Sequence, residues 1–201
     1  MQLLTKISLK YFLTNTFVAV VSLAFLLSGC ASFSGKVLKR SNKSTENNIN
    51  KFKGVYSNAP QTYYPENGKP VNPIKRKFTT LRYFLFNNKM SLDSTANYYI
   101  EVIPVNQVQM FFAFKKEDLT IDSITIGGSL RNGMFYLDNK LFRCHGIPYL
   151  LGGCERKKFR LATSNNELIA QETYDNSGAF LFFFWAGTSH NFAYSYARKN
   201  D

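Results

Sequence analysis

Histidine is scarce in this chain of 201 residues, where His145 and His190 are the only two. Neither an HExxH nor a GxSxG pattern occurs, so the sequence offers no signature of a zinc peptidase or a serine hydrolase. The short GGSL stretch at 127 to 130 lacks the strand-to-helix setting of a phosphate loop. Acidic residues are also few, 13 against 25 lysines and arginines. Glu101, Asp122, Glu172 and Asp175 stand singly among apolar runs and are expected on solvated faces. No catalytic residue, metal site or cofactor is therefore expected, and a non-enzymatic role is the working expectation.

Cysteine is limited to Cys30, Cys144 and Cys154, and the first stands apart. Before it come Lys6 and Lys10, an apolar run from Phe17 to Leu27, and then small residues. This is the layout of an export signal, which is removed and does not count towards the fold. An uncleaved membrane helix is the alternative, but the run is short and follows Thr14, Asn15 and Thr16.

Leu27, Ser28, Gly29 and Cys30 resemble the lipobox of bacterial lipoproteins. The resemblance implies that residues 1–29 are removed and that Cys30 receives a diacylglycerol and then an amide-linked acyl chain. One chain alone binds marginally at about 0.8 kcal/mol per buried methylene, whereas two or three anchor stably. Ala31 replaces the aspartate that retains enterobacterial lipoproteins at the inner membrane, so the resemblance implies an outer-membrane anchor. No acidic cluster follows Cys30, which favours the periplasmic side.

The signal carries two lysines and no acid, leaving 172 residues with 23 basic and 13 acidic side chains, a net +10. That length suffices for one domain with a sizeable core. The charge favours polyanions, which outside the cytoplasm means lipid headgroups and envelope polymers, or it is simply the bias of a solvated surface. No nucleic-acid-binding motif accompanies the charge, and no nucleic-acid partner is expected. With Cys30 lipidated in an oxidising compartment, Cys144 and Cys154 are left to pair as a disulfide around CHGIPYLLGGC. Free thiols are the alternative. Zinc would use His145 but lacks a third and fourth ligand at suitable spacing.

Residues 30–50 read as a lipidated, disordered tether rich in Ser, Asn and Lys, able to span roughly 25 Å. Lys36, Lys39, Arg40 and Lys43 within it either are drawn to an anionic leaflet or simply keep the spacer solvated. Residues 51–201 form the single folded domain. Short apolar or alternating runs are expected as strands at 51–57, 78–86, 98–105, 108–114, 119–126, 133–138, 140–144, 157–163, 167–175, 179–186 and 191–198. Turns are expected at Gly127-Gly128, Asn132-Gly133, Asp138-Asn139, Asn165-Asn166 and Asn176-Ser177-Gly178. The prediction is all-β, an antiparallel meander closing into an up-and-down barrel that leaves no exposed edge.

The one long connection, between Tyr56 and Phe78, holds four prolines with Tyr63 and Tyr64 and is expected to be a lid loop. Here the chain resembles lipocalins and the wider calycin group. Gly54-Val55-Tyr56 stands where a lipocalin has Gly-x-Trp, and Arg198 where its arginine packs across the first-strand aromatic. Tyr56 departs from the tryptophan of that motif. The resemblance implies a barrel with a ligand cavity.

AFLFFFWA (179–186), read as one strand, is apolar on both faces and calls for cover by a loop or the tether, or else forms a contact surface. Phe182 and Phe184 of that strand, with Phe192, Tyr194 and Tyr196 of the next and Phe112 opposite, are the candidate ligand-binding set. A filled barrel and a hollow one both fit these residues. The 146–153 loop either projects as an apolar finger or caps one barrel end. Two functions follow. One is a lipoprotein that binds a small hydrophobic or amphipathic ligand such as a lipid; the other is a docking lipoprotein that meets another envelope protein.

Overall fold

The computed structural model describes residues 31–39, 45–71, 79–86, 92–93, 96–147, 151–180 and 184–199, without the side chains of 147, 179–180 and 184–185. The expected signal, Cys30, Phe182 and the side chain of Phe184 lie outside these residues. A 3-10 turn at Ile49–Phe52 leads into β1 (Gly54–Ser57), followed by β2 (Thr62–Tyr64) and α1 (Leu81–Leu85). Then come β3 (Tyr98–Asn106), β4 (Gln109–Lys116), β5 (Leu119–Arg131) and β6 (Met134–Leu137). The chain continues through β7 (Leu141–Ile147), β8 (Leu151–Ser164), β9 (Glu167–Phe180) and β10 (Phe184–Ala197).

All ten strands join one antiparallel sheet in the order β1-β3-β4-β5-β6-β8-β9-β10-β2, with β7 also paired to β8. The sheet curls into a half-barrel. β1 meets the residues just after β10 through the Tyr56–Arg198 bridge and the bond from Lys199 N to Val55 O. Asn132 and Gly133, and Asn165 and Asn166, take positive φ at the β5–β6 and β8–β9 turns, as their chemistry predicts.

Two other glycine stretches do not turn. β5 runs through Gly127-Gly128, and β9 runs through Asn176-Ser177-Gly178. A Cβ on Gly128 would lie 2.3 Å from the carbonyl of Tyr136. The glycine therefore answers to close backbone approach across the sheet and not to a change of direction. AFLFFFWA is likewise not one strand. β9 ends at Phe180, β10 begins at Phe184, and these two residues pair.

The expected strand at 78–86 holds the helix α1. Leu81, Phe84 and Leu85 follow the i, i+3, i+4 spacing of a helical face, and all three are buried against the concave side of the sheet. Asn58 receives the helix start, its carbonyl accepting from Leu81 N and its Oδ1 from Arg82 N. Buried Arg82 pairs with Asp122 at 2.9 Å and lies over the rings of Phe86 and Phe114. Tyr63 and Tyr64, expected in a lid loop, instead form edge strand β2 against β10. The prolines flank this strand and leave its ladder intact.

Residues 31–39, expected to be part of a free tether, lie along the convex face. Val37 and Leu38 are buried with Tyr64, Met134, Ala162, Ile169 and Ala193. Lys158 Nζ donates to Ala31 O, Thr173 Oγ1 to Ser32 O, and Gln171 Nε2 to Ser34 O. Phe33 packs edge-on to Tyr136 beneath the Arg160 guanidinium, 4.4 Å from its ring centre. The polar composition suggested disorder, but two apolar side chains and backbone acceptors facing polar strand residues suffice to dock the segment.

Candidate binding site at the base of a strand flap

The concave face is filled along most of its length. Phe112 and Tyr196 are fully buried there, and the Tyr196 hydroxyl donates to Thr79 O. Burial, reinforced by nearby Tyr194, pushes the Tyr196 phenol well above its ordinary pKa. Phe84 of α1 sits within 6.5 Å, centre to centre, of Phe159, Phe192, Tyr194 and Tyr196. Phe112 and Tyr196 thus belong to the packed core, whereas Phe192 and Tyr194 are only partly buried, with the Tyr63 ring tilted beside them at 5.0 Å from Tyr194.

Beyond Phe159, strands β7 to β10 continue past the core. The core-facing phase of β8 runs Leu161, Phe159, Lys157; that of β9 runs Leu168, Ala170, Glu172, Tyr174; that of β10 runs Tyr196, Tyr194, Phe192, His190. Where the hydrophobic filling ends, this alternation brings four polar groups together. The Glu172 side chain is only 2% exposed, with Oε1 3.3 Å from His190 Nε2 and 3.7 Å from Lys157 Nζ. Its Oε2 is buried with no hydrogen-bond partner among the described residues. Lys157 Nζ donates to the Tyr83 hydroxyl at 2.7 Å.

Burial opposes the charge on Lys157, but the Tyr83 bond and the carboxylates of Glu172 and Glu155 outweigh it and hold its pKa above the usual lysine value. Aromatic rings frame the cluster. Tyr174 stacks on His190 at 4.7 Å, and His190 stacks on Phe192 at 5.3 Å. The result is a carboxylate floor, an ammonium wall, an imidazole at the open side and aromatic surface leading to Tyr194 and Tyr63.

Glu172 corrects the expectation that the carboxylates lie on solvated faces, and Asp122 and Glu101 are also paired, with Arg82 and Lys115. The missed signal was phase, since Glu172 is in step with Leu168 and Ala170. The cysteine expectation holds: Cys144 and Cys154 face each other across β7 and β8 and are bonded, with Cα atoms 4.1 Å apart. Their segment is a strand hairpin of β7 on β8, and the 148–150 part of the expected finger or cap lies outside the described residues. At the opposite end of the sheet Arg198 lies over the Tyr56 ring at 6.0 Å and donates to Lys53 O. Open clefts of about 320 and 370 Å³ border it.

Among the described residues, no three His, Cys, Asp or Glu side chains gather as a metal-binding group, and no helix is long and apolar enough to cross a membrane. Comparison with family models, curated proteins and solved structures returns no match. The functional reading therefore comes from the residues themselves.

Proposed function

We propose that this chain is a lipid-anchored envelope protein, carrying acyl chains on Cys30 at the periplasmic side of the outer membrane, whose half-barrel binds an amphipathic small molecule. The lipobox resemblance at Leu27 to Cys30 supports the anchor. The observation that carries the binding reading is Glu172 Oε2, a buried acceptor without a partner among the described residues, beside aromatic surface. Such an atom costs about 1 to 3 kcal/mol unless a donor meets it. A ligand with a hydroxyl or ammonium group would supply that donor, and its apolar part would lie on Phe192, Tyr194 and Tyr63. Phe112 and Tyr196 back this surface from the core.

Native mass spectrometry of the mature protein, expressed from the full-length gene and extracted in mild detergent, tests the proposal. The expected result is an acyl mass on Cys30 and a releasable small-molecule adduct that Glu172→Gln loses while the fold persists. A wild-type protein with no adduct, even after incubation with its own envelope lipid extract, overturns the binding reading. The alternative is a non-catalytic docking lipoprotein, favoured by the exposure of Phe142 and Leu151, each 57% accessible. It predicts an empty site and a single cross-linked envelope protein.

A further inference from the structure

Among the described residues, the last rung of the flap formed by β7 to β10 pairs Ile147, Leu151, Phe180 and Phe184, four residues of large apolar type, in register across four strands. The next rung holds Gly146, Gly152, Ala179 and Trp185; the third, His145, Gly153, Gly178 and Ala186; the fourth, Cys144, Cys154, Ser177 and Gly187. Acidic and basic chains begin only at the fifth, with Arg143 and Glu155. At about 3.3 Å per residue, the first four rungs keep roughly 13 Å of sheet free of carboxylates, lysines and arginines. Behind them Lys140, Arg143, Arg156, Lys157 and Lys158 outnumber Glu155, Glu172 and Asp175, a balance that suits anionic headgroups.

Ala31, the residue after Cys30, is held on this same flap by Lys158, and the chain from Ser34 back to Ala31 runs towards the apolar end. A lipid on Cys30 is therefore attached one residue from the flap and not at the end of a long free tether. We propose that the end of the flap enters the surface of the lipid leaflet that holds the chain's own anchor. This rests on the reading of Cys30 as the lipid-bearing residue. Entry is shallow, because β7 and the 184–190 part of β10 have no further strand beside them among the described residues, and unpaired backbone is excluded from hydrocarbon. Leu151 is seven residues from Lys158, roughly 23 Å along the strand. With the end rung about 5 to 10 Å below the headgroups, the flap lies inclined to the membrane.

Trp185, the only tryptophan in the chain, pairs one rung from that described end and supplies the fluorescence probe. The mature protein, with its Cys30 acyl mass verified, is reconstituted into phosphatidylethanolamine–phosphatidylglycerol vesicles with or without bromine on the acyl chains. Trp185 emission is expected to shift to the blue and to be quenched by bromine, and Phe142→Asp with Leu151→Asp is expected to relieve the quenching while the protein stays anchored. Equal wild-type emission in brominated and plain vesicles overturns the inference. So does emission blind to bromine but shielded from acrylamide by an envelope extract, which assigns the flap to a protein partner. Absence of the acyl mass on Cys30 overturns the anchor and this inference together; a normal acyl mass with unquenched Trp185 overturns this inference alone.

Discussion

At the scale of single residues, the Lys157–Tyr83–Glu172 contacts make a stability difference that depends on pH. The pKa of Lys157 is raised in the folded state, so its contribution is complete below the unfolded lysine value of 10.5 and is lost as pH rises through the higher folded value. Replacing Tyr83 by Phe removes the hydroxyl that accepts from Lys157 Nζ. The expected cost is about 1 kcal/mol at pH 7, at the low end because Tyr83 is half exposed. Urea unfolding at a series of pH values should show the gap between wild type and Tyr83→Phe narrowing above pH 10.5. A gap of constant size would mean that Tyr83 acts by packing alone.

Among the elements, α1 is held by groups distant in sequence. Asn58→Ala takes away the side-chain acceptor for Arg82 N and should lower stability by about 1 to 2 kcal/mol. Phe84→Ala empties the centre of the aromatic cluster and should cost about 3 to 5 kcal/mol, read as a lower urea midpoint. The segment at 31–39 makes a sharper test. If it is docked, Leu38→Asp exposes its strand partners and should cost about 2 kcal/mol, the scale of one buried leucine. Unchanged stability in that variant would restore the free tether.

Over the whole molecule, stability is divided between a filled half-barrel and a flap with little apolar filling. Buried side chains crowd the concave face up to Phe159 and Glu172, while Phe142 and Leu151 on the flap are exposed. The Cys144–Cys154 bond clamps the flap where packing is sparse. Reduction should therefore speed amide exchange across 141–157 and leave 159–172 protected, because local opening follows local contact density. Simultaneous exchange of both regions would show that flap and half-barrel unfold as one unit. This division also separates the two proposed activities, with the polar site at the flap's base and the apolar rung at its end.

Alternation, turn residues and cysteine count determined the all-β antiparallel architecture, the Asn132-Gly133 and Asn165-Asn166 turns and the Cys144–Cys154 pair, because each depends on neighbours along the chain or on a single pairing choice. Arg198 lies over Tyr56, a placement that depends on how the sheet curls. Only the tertiary structure decided that 81–85 is helical, since Leu81, Phe84 and Leu85 fit both an apolar strand and a helix face, and Asn58 reaches the helix start only in the folded chain. The same holds for the docked 31–39 segment, whose polar backbone acceptors gain their donors from β8 and β9. Glu172 shows the physical reason most plainly. Its phase in β9 is readable, but its burial beside Lys157 and His190 follows from the register of three strands and from the place where the hydrophobic filling stops.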